Sequence, residues 1–486
     1  MISIHAKKHD NFSVEFKFGF DCIVDGVEDD FAVNAWIFVP YSLDITPENY
    51  GKDQFYRDIK SNVRLITPSF HLHEISKETE MPLRSLTSAL DEVLRSPGDH
   101  KALDAYEYHL KMFAAIFKSA LRDKANRLLN LLPDASDQVE RYAERAKAAL
   151  AGFRELYSKI DDPQVCSHVR NSFRMSDEFM THVLEVRTIR LIKRIDALDM
   201  DSCDNMRKTL TDLLLDEHAY RRRVGYEMLT GEPNRDRELL RHYGMLKKYT
   251  ESELYIKLDK KKDGVALQQI YYSLAAGVAM VFATAVSWHY QQKFGSVTLP
   301  LFIVLVISYM MKDRIKDLLR YYFAHKLGNK YYDKKAIIAI GKTKVGAIKE
   351  GFDFISEEKL PDEVKVMREK ASFDEGESGI FEERIMLYRQ RVNLDDKALA
   401  VKDQYPRKGL NEILRLHLTR FTHKMDNPQM TVDTMDPDGN VVPMNVQKIY
   451  YVNVVFQLVH DGAVQYQQFR IGMSRDGVFD VQHITE

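Results

Sequence analysis

VALQQIYYSLAAGVAMVFATAVSW, residues 265–288, lies at the centre of a 29-residue run from Gly264 to Gln292 that contains no Asp, Glu, Lys or Arg. At 1.5 Å per residue, a helix of that length exceeds the ~30 Å hydrocarbon core of a bilayer. After Lys293 a second charge-free run of 18 residues, Phe294 to Met311, carries LFIVLVI at 301–307. The joint YQQKFGS, residues 290–296, supplies an interfacial aromatic and a turn glycine. Pro300 falls in the first turn of the following helix, where its missing N–H costs little. The pattern predicts a two-helix transmembrane hairpin. Lys257, Lys260, Lys261 and Lys262 precede it, and Lys312, Arg314, Lys316 and Arg320 follow it, as a basic set at the membrane surface. Positive charge marks the cytoplasmic side, so both termini are expected in the cytoplasm at the inner membrane. Ala275, Ala279, Ala283 and Ser287 recur every four residues, a small-residue stripe expected to pack helix on helix within one chain or between copies.

Outward from this hairpin the texture changes. Phe12, Val14, Phe16, Phe18 and Phe20 alternate with polar residues, as do Phe31, Val33, Ala35, Ile37 and Val39 after an Asp25-Gly26 turn signal. Arg64 to Ile66 and Phe70 to Glu74 are expected to extend this β-rich unit. From Pro82 to Leu258 apolar residues recur at helical spacing instead, as in Leu103, Tyr106, Leu110, Phe113, Phe117 and Leu121, with breaks at Pro133, Asp161-Asp162-Pro163 and Gly231-Glu232-Pro233. On the C-terminal side, Ile337–Ile340, Ile385–Tyr388 and Leu414–Leu418 suggest strands. Asp438-Gly439, Asp461-Gly462 and Asp476-Gly477 each sit between strand-like runs, which predicts an antiparallel meander from Met430 to Ile484. The strand around Tyr450 to Leu458 is apolar on both faces and needs cover on both. The fold class expected is a multidomain α+β integral membrane protein. It comprises a β-rich N-terminal unit (1–80), a cytoplasmic antiparallel helical bundle (81–262), the hairpin with a juxtamembrane helix (263–326) and a C-terminal α+β domain (327–486).

A length of 486 residues permits several units, and a net charge of -2 supplies no overall field for nucleic acid. The three cysteines, Cys22, Cys166 and Cys203, are too scattered for a disulfide framework or a cysteine-built zinc site. No signal pattern opens the chain, and export of the N-terminus is not expected. Local chemistry is sparse. Gly341-Lys342-Thr343 lacks the earlier glycine of a phosphate loop, and Val345 to Lys349 lacks every companion of a kinase lysine. His71 and His73 would share one face of a strand, without a third metal ligand. His417 and His423 have no companions in sequence. Asp433, Asp436, Asp438 and Asn440 crowd oxygens without calcium-loop spacing. Arg187, Arg190 and Arg194 form a helical stripe, and Arg221-Arg222-Arg223 a cluster, expected to pair with Glu185, Asp216 and Glu217. No catalytic residue, cofactor or metal set stands out. The reading is a membrane-anchored cytoplasmic scaffold, sensor or regulatory protein. Its expected partners are the lipid bilayer, a second copy through the hairpin and a protein bound by the C-terminal domain. The alternatives are an oligomeric pore-forming effector and a membrane-bound enzyme acting on lipid or nucleotide.

Overall fold

The computed structural model describes residues 2–22, 28–77, 79–162, 165–198, 203–256, 258–294, 298–328, 332–340, 343–370, 383–395, 405 and 409–484. They form a mixed α+β fold with antiparallel sheets, divided into two compact units: residues 1–64, 256–402 and 408–486, and residues 65–255 and 403–407.

In the first unit, alternating strands place every second side chain on one face, and two sheets bury those faces against each other. The smaller sheet is ordered β1 (Ile2–Asp10), β2 (Ser13–Asp21), β10 (Gly409–His417), β4 (Ile59–Leu65) and β5 (Tyr255–Ile256). The larger runs β15 (Gly477–Ile484), β14 (Ala463–Ser474), β13 (Tyr450–His460), β3 (Glu28–Pro40), β9 (Glu383–Asp395), β8 (Thr343–Ile355), β7 (Lys334–Ile340) and β6 (Asp259–Lys262). Phe16 and Phe18 of β2 meet Phe456 of β13 edge-on at 5.1 and 5.6 Å between ring centres, and Phe20 meets Phe31 at 5.4 Å. The opposite face of the larger sheet packs Trp36, Phe38, Ile385 and Val455 against Leu360 and Val364, the latter on helix α12 (Asp362–Lys370). Both faces of β13 are thus covered inside the chain. Helix α1 (Lys52–Asp58) precedes β4. N-terminal and C-terminal strands interleave, so residues 1–64 of the unit expected to end at residue 80 form one body with most of the domain expected to begin at 327, while residues 65–80 belong to the second unit.

The expected meander is also divided. Strands β11 (Gln429–Met435) and β12 (Val441–Gln447) pair only with each other among the described residues, around Asp438-Gly439, whereas β13 to β15 join β3. The Asp25-Gly26 turn lies outside the described residues.

The second unit is helical: α2 (Leu72–Ile75), α3 (Met81–Arg95), α4 (His100–Leu131), α5 (Ser136–Glu155), α6 (Tyr157–Ile160), α7 (Ser167–Asp196), α8 (Asp204–Val224) and α9 (Pro233–Thr250). Asp99 caps α4 by accepting from the Lys101 amide at 2.9 Å, and Gly225 ends α8 at φ 82°, a conformation glycine adopts without steric cost. Phe113, Phe153 and Phe173 stack in series at 5.3 and 4.3 Å and join α4, α5 and α7. Phe70 to Glu74 is not a strand. The Glu74 carboxylate accepts from the His71 amide at 2.7 Å and starts α2 there.

Candidate functional site

Helices α10 (Val265–Phe294) and α11 (Leu299–Gly328) pack against each other as a hairpin. Among the described residues one helical segment, Gln269–Lys293, is long and apolar enough to cross a membrane, with a mean hydropathy of 1.6. Only 11% of its most apolar window is buried, and Ile270, Leu274, Val278, Val281 and Trp288 are exposed. The second run is shorter as a helix than as a sequence. Helix α11 begins at Leu299, leaving 13 residues, or about 20 Å, before Lys312. Tyr271 stacks on Phe323 at 5.2 Å, and Ser308 Oγ donates to the Ala283 carbonyl at 3.4 Å. This register runs Lys312 to Lys316 beside roughly Ala276 to Met280.

On the stripe, Ala275 and Ala279 are buried, while Ala283 and Ser287 are half-buried. Of the basic set, Lys260 lies in β6 and its ammonium bonds the buried Glu350 at 2.6 Å. Lys261 and Lys262 are exposed. Lys312 sits 4.0 Å above the Tyr309 ring, Lys316 pairs with Asp313 at 3.0 Å, Arg320 lies over Tyr272, and Arg314 is exposed.

A second feature was not legible in the sequence. The chain reverses between α4 and α5 near Leu132-Pro133, and Lys124 donates to Gln138 at 3.0 Å across that reversal. A cavity of about 200 Å³ opens there, lined by His71 and His73 from α2 and its lead-in, Asp123, Lys124 and Arg127 from α4, and Arg145 from α5. Burial lowers the pKa of Lys124, and the neighbouring charges of Arg145, Arg127 and Arg141 lower it further. Asp123, the sole carboxylate lining the cavity, is bonded by Arg122 at 2.8 Å. The two imidazoles stack at 5.6 Å instead of sharing a strand face.

Of the acids expected to pair with the arginine stripe and cluster, Glu185 does pair with Arg221 of the cluster, whereas Asp216 and Glu217 are taken by other cations. Glu185 accepts from Arg221 at 2.6 Å and bonds His218, Asp216 takes Lys147, and Glu217 receives Arg154 through two nitrogens. Arg154 also donates to the buried Asp177 at 2.9 Å and stacks over Tyr220. Burial opposes ionisation of Glu185, but the bonds from His182, Arg221 and His218 outweigh it and pull the carboxyl down to about 2. Arg187 is left beside Arg122 and Arg190, and burial together with those like charges lowers its pKa.

In the first unit Glu412 projects from β10 between the sheets, fully buried, bonded by Ser61 and by Gln390 at 2.7 Å. Burial and the nearby Glu350 push it up to about 7. Neither that pair nor Tyr388, which donates to Glu350, lines the cavity between α4 and α5. Asp29, His460 and Asp461 bring three ligand atoms within 4.8 Å, a donor set able to hold a divalent cation, although His460 Nε2 already bonds Asp29 at 3.1 Å. His417 bonds Ser13 at 3.0 Å. The oxygens near Asp436 form a turn: Asp436 accepts from the Asp438 and Asn440 amides. Val345 to Lys349 lies within β8, and Gly341-Lys342 lies outside the described residues. No protein-family model, curated protein or solved structure matches the chain.

Proposed function

We propose that this chain is a membrane-anchored regulatory protein, a sensor or scaffold whose α10–α11 hairpin enters the bilayer from the cytoplasmic side and carries both folded units there. The observation that carries this reading is the α10 surface, a 25-residue apolar segment on which Ile270, Leu274, Val278, Val281 and Trp288 are exposed. In water such a surface is costly, at about 25 cal/mol per Å² of apolar area, and lipid removes that cost. The register argues for an inserted tip. With Lys312 to Lys316 beside the middle of α10, the apolar part of the pair is about 20 Å deep, and both flanks stay on one side of the membrane.

The small-residue stripe packs α10 on α11 within the chain in this reading, so a pore would need another face of α10. The β11–β12 hairpin, with Met430, Val432, Met435, Val441, Met444 and Val446 exposed, offers an apolar surface to a protein partner. Reporter fusions at each terminus test the anchoring. Both should report the cytoplasm, and membrane fractions should retain the protein after an alkaline wash. An exported terminus, or full release by the wash, would contradict it.

A further inference from the structure

We propose that the recess between α2, α4 and α5 binds a ligand carrying two or more phosphate groups. This goes beyond the membrane reading and does not depend on it. Lys124 and Arg127 stand one turn apart on α4, and the reversal at Leu132-Pro133 brings Arg145 of α5 to the same cavity, with Arg141 one turn before it near enough to act on Lys124. An ordinary basic surface keeps its cations in water or beside carboxylates. Here Lys124 and Arg145 are half-buried, and among the described residues no carboxylate pairs with Lys124, Arg127, Arg141 or Arg145. The depressed Lys124 pKa reflects the same arrangement, burial among positive charges held close together. His71 and His73 add ring N–H groups at the rim.

Three lining cations, with Arg141 close by, exceed what one phosphate group neutralises and match a diphosphate or larger ester, and guanidinium groups bond phosphate oxygens in pairs. The space, about 200 Å³ against the ~30 Å³ share of one water, suits such a headgroup. A bonded anion would offset the mutual repulsion of these cations.

Calorimetric titration of the full chain in nonionic detergent with pyrophosphate tests this. Saturable binding, tighter than for orthophosphate and weakening as salt rises, is expected. Lys124→Met and Arg145→Gln should each weaken it roughly tenfold or more. Each removes a repelled cation and should leave the thermal midpoint unchanged or raised. Arg127→Gln, at an exposed position, repeats the test without disturbing packing, and Arg222→Gln on α8 should bind as the parent does. A parallel arm uses mixed micelles containing a bisphosphorylated phosphoinositide. Binding there that pyrophosphate displaces supports the site and assigns its phosphates to a lipid headgroup, whereas pyrophosphate binding without micelle binding assigns them to a free ligand. Absence of saturable binding in both arms, equal affinity in parent and recess variants, or preference for an oligoribonucleotide over pyrophosphate would overturn the proposal.

Discussion

Helices α4 and α10 are nearly equal in length, 32 and 30 residues, yet they use their apolar side chains in opposite ways. Helix α4 buries Tyr106, Leu110, Phe113, Phe117 and Leu121 among its neighbours, whereas α10 buries Ala275 and Ala279 and turns Leu274, Val278 and Val281 outward. The first has polar residues for water and apolar ones for a core. The second packs on α11 and leaves large apolar side chains exposed around the rest of its circumference, the surface that the membrane reading gives to lipid. Charge divides the same two regions. The helical unit takes charged groups into its interior as matched sets, such as Arg154 with Asp177 and Glu217, while α10 carries no Asp, Glu, Lys, Arg or His from Ile270 to Trp288.

The comparison breaks most visibly if α10 is given charge. Ala285→Arg combined with Trp288→Arg places two guanidinium groups on exposed positions of the part of α10 that would insert. At roughly 2.5–3.5 kcal/mol each near the bilayer centre, they should release most of the protein from membranes. Liposome flotation measures this, and unchanged flotation with an intact fold would show that these residues do not face lipid. In the helical unit the corresponding experiment removes charge. Arg154→Ala strands two buried carboxylates and should cost about 3–5 kcal/mol in denaturant unfolding. A cost below about 1 kcal/mol would mean that water already reaches the site.

Glu412 tests the sandwich. Its folded pKa is raised from 4.5 to about 7, so the folded state holds a proton that the unfolded chain has released. The stability it contributes is full below about pH 4.5 and is lost as pH rises through 7, roughly 3 kcal/mol in total. Glu412→Gln should flatten unfolding free energy over that window and can offer its amide to the Gln390 carbonyl oxygen, which lacks a partner. An unaltered pH profile would assign the dependence to another group. The smallest effect is expected from Ala279→Leu, where overpacking against α11 should cost about 1–3 kcal/mol and reduce crosslinking between the two helices. Unchanged crosslinking would place the stripe against lipid.

Local pattern revealed much of this molecule. The apolar period of Leu103 to Leu121, the charge-free run ending at Gln292 and the three C-terminal Asp-Gly turns each reflect a choice made within a few residues, and each corresponds to an observed element. Partners distant in sequence were not legible. Phe16 meets Phe456 across 440 residues, and alternation states that a face is buried without stating against what. Phe70 to Glu74 reads as a strand in sequence because a four-residue helix is too short to show a period, and its start depends on one carboxylate reaching back to an amide. Glu412 did leave a trace, as the acidic member of the buried parity Leu410, Glu412, Leu414 and Leu416. The cationic recess left less, since Lys124 and Arg145 converge only after α4 and α5 fold back on each other.

The chain contains two tryptophans, one on each side of the central comparison: Trp36 is buried in the sandwich, and Trp288 lies on α10 with 66% of its surface exposed. In a Trp36→Phe background reconstituted into liposomes, emission therefore reports Trp288 alone. An inserted hairpin predicts blue-shifted emission, strong quenching by lipids brominated on their acyl chains and little quenching by aqueous iodide. Red-shifted emission, quenched by iodide and insensitive to brominated lipid, would contradict membrane insertion of α10.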